Sequence, residues 1–79
     1  MNKSDAMAMI VEAVRRAVKD KAAEVPDGAD LLEQGILDSL DGMVFLLELS
    51  NLSSKEFPEQ DLEEAGFYKV DRLIEYLTA

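Results

Sequence analysis

Apolar residues in this chain return every three or four positions and nowhere settle into alternation. That habit restricts the fold more than any other feature. A period near 3.6 puts side chains on one face of a helix, whereas a strand needs a period of two. In AMAMIVEAVRRAVK, residues Ala6, Met9, Ile10, Ala13, Val14, Ala17 and Val18 share one side, and Arg15, Arg16 and Lys19 take the other. With Ser4 read as the N-cap and Asp5 in the first turn, the spacing predicts a helix over 5–21. Phe45, Leu49 and Leu52, with Leu46 beside them, mark the core face of a second helix over 38–53. Asp38 is its N-cap, and Asp41 the acidic partner of a capping box. Pro58 and Gly66 bracket a short helix over 59–65, and Val70, Leu73, Ile74 and Leu77 mark a last one over 69–78. The expectation is one all-α domain over 1–79, a four-helix bundle with a long first loop and a short third helix.

Two stretches add detail. The loop VPDGADLLEQG is broken by Pro26, Gly28 and Gly35, and it carries Leu31 and Leu32, with Ile36 and Leu37 following. A connection with such apolar anchors should pack across the bundle. The second helix also carries another apolar line, Leu40, Met43 and Leu47, about a third of a turn from the first. In a domain this small, one of the two lines is left for a partner.

Seventy-nine residues make one modest core, burying about 60% of the unfolded surface, with no room for a deep enclosed active site. The chain has no cysteine, so neither a disulfide framework nor a thiolate zinc site can form. It has no histidine either, which removes the usual general base and the usual metal ligand. The net charge of −9 divides into +1 over residues 1–26 and −10 over residues 27–79. Such a surface repels nucleic acid and anionic lipid and steers the chain toward basic patches on other proteins, though acidic residues also simply keep small domains in solution. No secretion signal or membrane span is read in the sequence, so a cytoplasmic location is expected. Asp38 with Asp41 reads as capping chemistry with no metal, Glu63-Glu64 as a solvated face, and Met7 with Met9 as core or fraying terminus.

GILDSLDG, residues 35–42, is where function concentrates. A serine hydroxyl is a weak nucleophile without an adjacent base, and this chain offers none nearby. Ser39 therefore does no chemistry alone: either it helps start a helix, or it is modified where a helix N-terminus favours phosphate. The larger pattern is LLEQGILDSL, an apolar helix, FPEQDL, then VDRLIEYL. Over roughly Leu31 to Leu77 it resembles the acyl and peptidyl carrier proteins, and the first helix agrees in type and position. The resemblance implies that Ser39 carries a covalent 4′-phosphopantetheine arm, attached by a phosphopantetheinyl transferase.

It also implies a free-standing, monomeric shuttle with no catalytic residues of its own. Cargo would arrive through an acyl- or aminoacyl-loading ligase and leave through acyltransferases with basic docking patches. Asp38 and Asp41 would meet those patches, and Leu40, Met43 and Leu47 would supply the apolar contact. The GILDSL form is closer to thiolation-type carriers than to those of housekeeping fatty-acid synthesis. Asp38, Asp41 and Glu48 are acidic, but Val44, Ser50 and Asn51 stand where fatty-acid carriers commonly place acids. An aromatic is missing at Ser53, and Lys69 replaces a common capping Ser or Thr. These departures, with Phe45 filling a small core, point to a short or polar cargo. The alternative is an unmodified acidic helical module that docks through its second helix.

Overall fold

The computed structural model describes residues 2–19, 24–26, 28–57 and 67–78. They form three α-helices: α1 (Lys3–Val18), α2 (Ser39–Ser53) and α3 (Val70–Thr78). No strand occurs among the described residues. The helix expected over 59–65 lies outside them, as does the Glu63-Glu64 pair.

The first helix begins earlier than the sequence reading placed it. Asn2, not Ser4, is the N-cap, and its side-chain oxygen accepts the Asp5 N–H at 2.8 Å. Asparagine caps as well as serine does, and here its reach falls on the third residue of the first turn. The described helix stops at Val18, where Lys19 turns left-handed at φ 55° and its N–H bonds to the Arg15 carbonyl; residues 20 and 21 of the expected span lie outside the described residues. Buried Ala6, Ala13 and Ala17 keep the inward side of α1 thin, and α1 packs against both α2 and α3.

Leu31 and Leu37 are buried in the long loop, Ile36 is half-buried and Leu32 is exposed, so two of the four expected anchors are fully engaged. Asp30 shapes the loop: its carboxylate accepts the N–H groups of Leu32 and Glu33, each at 3.0 Å. Gly35, at φ 75°, makes the turn back toward α2. An antiparallel bridge pairs Asp30 with Lys69, through Leu31 N–H to the Tyr68 carbonyl at 3.0 Å and Val70 N–H to the Ala29 carbonyl at 2.8 Å. The loop is thus fastened to the start of α3.

After α2, the segment 55–57 docks on α3. Lys55 Nζ donates to the Tyr76 carbonyl at 3.2 Å, the Tyr76 hydroxyl donates to the Glu56 carbonyl, and Phe57 stacks on Tyr76 at 4.8 Å. Ile10, Val14, Leu31, Leu37, Phe45, Leu49, Leu73 and Leu77 are all at most 1% exposed and fill the space between the helices. No helix among the described residues is long and apolar enough to cross a membrane.

Candidate functional site

The site is the first half of α2 and the turn that leads into it. Buried Leu37 anchors the chain one residue before the cap. Asp38, extended at φ −89° and ψ −178°, accepts the Asp41 N–H on its side chain at 2.7 Å. Its carbonyl accepts the Gly42 N–H at 2.8 Å, the first bond of the helix. Ser39 is therefore the first helical residue and not the cap. It is exposed, and the fold does not spend its hydroxyl on closing the helix start.

The residues expected to meet a partner surround it. Leu40, Met43 and Leu47 are 71%, 69% and 62% exposed, while Phe45, Leu46 and Leu49 on the other side are buried. Asp38 is exposed and Asp41 half-buried beside them. Successive residues advance about 100° around a helix, so Leu40, Met43 and Leu47 form one narrow stripe. Val44, 38% exposed, completes it. The sequence reading missed Val44, although its spacing of four from Leu40 and three from Leu47 was the available signal. Leu52, counted with the core, is only half-buried at the far end of the helix.

Glu48 faces elsewhere. Arg16 of α1 holds it at 3.3 Å and Glu12 at 3.0 Å. The guanidinium pKa is pushed up from its ordinary value, first by the hydrogen bond it donates to Glu12 and then by the one it donates to Glu48. The acids left to the exposed first turn of α2 are Asp38 and Asp41.

A shallow cleft of about 360 Å³ runs beside the stripe, lined by Leu46, Leu47, Ser50, Glu56 and Phe57. A larger one, about 510 Å³, lies on α1 among Glu12, Arg15, Arg16 and Lys19 and involves no residue around Ser39. No group of three or more His, Cys, Asp or Glu side chains among the described residues is placed to hold a metal ion.

A phosphodiester on Ser39 Oγ suits this geometry. The hydroxyl is exposed, it is not needed as a cap, and it stands at a helix start where N–H groups and the dipole favour negative charge. Protein-family models, curated proteins and solved structures contain no match to this chain.

Proposed function

We propose that the chain is a carrier protein of the acyl and peptidyl carrier type, bearing 4′-phosphopantetheine on Ser39 and presenting an acyl or aminoacyl group to partner enzymes. The observation that carries this reading is the division of labour at the start of α2. Asp38 makes the cap, so Ser39 can be modified without unwinding the helix. In the attachment step, Ser39 Oγ forms a bond to the pantetheine phosphorus of coenzyme A, the bond to 3′,5′-ADP breaks, and the hydroxyl proton leaves to a base on the transferase. A chain without histidine has no such base close by, which is why the step belongs to the transferase. Once attached, the arm supplies a thiol that holds cargo as a thioester and raises its local concentration at each partner.

On this reading the bundle is completed by a fourth, short helix over 59–65, and the protein works as a cytoplasmic monomer. Its partners are a phosphopantetheinyl transferase, a loading ligase and downstream acyltransferases. Leu40, Met43 and Leu47 give them an apolar contact, and Asp38 and Asp41 the charge.

Intact mass after co-expression with a broad-specificity phosphopantetheinyl transferase tests the assignment. The wild-type chain gains the mass of one arm and Ser39→Ala gains none. An unmodified wild-type chain, or an alanine variant that still gains the arm, overturns it. The first of those outcomes leaves the same exposed stripe as the docking face of an unmodified acidic module.

A further inference from the structure

A tyrosine from the turn before α3 is seated on a glycine of α2, one turn past Ser39. A methyl group built on Gly42 would meet Tyr68 Oη at 3.2 Å, Cζ at 3.3 Å and Cε1 at 3.4 Å. Those approaches are tight enough that a Cβ would push the ring back by a few tenths of an ångström, so the Tyr68 ring uses the space that Gly42 leaves open. The ring also meets Phe45, with centroids 6.3 Å apart, and Phe67 edge-on at 5.5 Å. The Tyr68 carbonyl is fixed by the Leu31 N–H at 3.0 Å. Tyr68 is 9% exposed and Phe45 0%, and burial pushes the Tyr68 phenol pKa up.

We infer that Tyr68, seated on Gly42 and backed by Phe45, is a specificity-determining residue that closes the interior beneath Ser39, so that the site suits short or polar acyl groups, aminoacyl groups included, over long alkyl chains. This rests on the carrier reading above. An alkyl chain gains by leaving water, but a close-packed interior admits it only where a side chain gives way. Helix, loop and two aromatic rings hold Tyr68 in place, whereas the side chains of the exposed stripe are free of such restraint. A polar cargo keeps its water and needs no opening.

The test loads Ser39 with an octanoyl arm and, separately, an acetyl arm, verifies each by intact mass, and compares amide and methyl NMR shifts. In the wild-type chain the shifts of Phe45, Leu49 and Leu73 should coincide for the two cargoes. In Tyr68→Ala the octanoyl form alone should move them, and Tyr68→Leu is the second variant should the alanine chain not fold. Octanoyl-dependent shifts at those residues in the wild type overturn the inference, as do coincident shifts in a folded Tyr68 variant. The wild-type comparison decides even where neither variant folds. A chain that gains no arm overturns the carrier reading, and this inference with it; the mass measurement tells that failure apart from a failure of the plug.

Discussion

Asp38 and Ser39 are adjacent, and the fold gives them unequal work. The Asp38 carboxylate takes the Asp41 N–H that would otherwise be unsatisfied at the helix start. Replacing it with alanine should cost about 1 kcal/mol, which lowers the melting temperature by roughly 4–8 °C in a domain of this size. Ser39→Ala removes no cap and places a better helix former in the first turn, so its stability should stay within about 0.5 kcal/mol of wild type. Urea denaturation of the two variants checks this; an equal loss in both would mean that Ser39 shares the capping role. Both described caps follow one rule, an Asx side chain bonded to the N–H three residues on. The sequence named Asp38 as the cap with Ser39 beside it as a second candidate for the helix start, and the fold gives the cap to Asp38. At the first helix Asn2 and Ser4 were both good caps, and local pattern alone does not choose between them.

At the scale of the element, α2 is apolar on both sides and only one side is used by the core. Phe45→Ala should cost about 3–5 kcal/mol, a large share of the 5–15 kcal/mol that holds an ordinary domain together. Leu40→Ala, Met43→Ala and Leu47→Ala should each change stability by no more than about 0.5 kcal/mol, since these side chains are exposed. Combined, the three should reduce loading efficiency on the order of tenfold, equivalent to about 1.4 kcal/mol of contact with the partner. Thermal melts and transferase kinetics on the same variants separate the two effects, and undiminished loading would remove the stripe from recognition. This split between faces was legible, because i, i+3 and i+4 spacing is local information. What escaped the sequence was long-range. The pairing of Gly42 with Tyr68 joins α2 to the turn before α3, and only a lone glycine inside a helical pattern hinted at a close approach. The turning of Glu48 toward Arg16 required knowing which face α1 covers.

Across the whole molecule, the acidic balance sits in residues 27–79, and Arg16 draws Glu48 away from the site. On the proposed reading, docking by charge then falls to Asp38 and Asp41. Replacing both with asparagine keeps the side-chain oxygen at the cap while removing two charges. Loading should slow several-fold at low ionic strength, with a shallower dependence on salt, because exposed charges act on encounter and are screened over about 10 Å at 0.1 M. Rates across a salt series measure it; an unchanged slope would argue against electrostatic docking. The bridge between Asp30 and Lys69 carries a different consequence. It fastens the loop that presents Ser39 to the start of the last helix, so the two cannot open independently. Any fluctuation that lifts α3 breaks the bonds at Ala29 and Leu31 and releases the turn before the serine. The lifetime of the presented serine is thereby tied to the lifetime of the C-terminal helix, far along the chain from it.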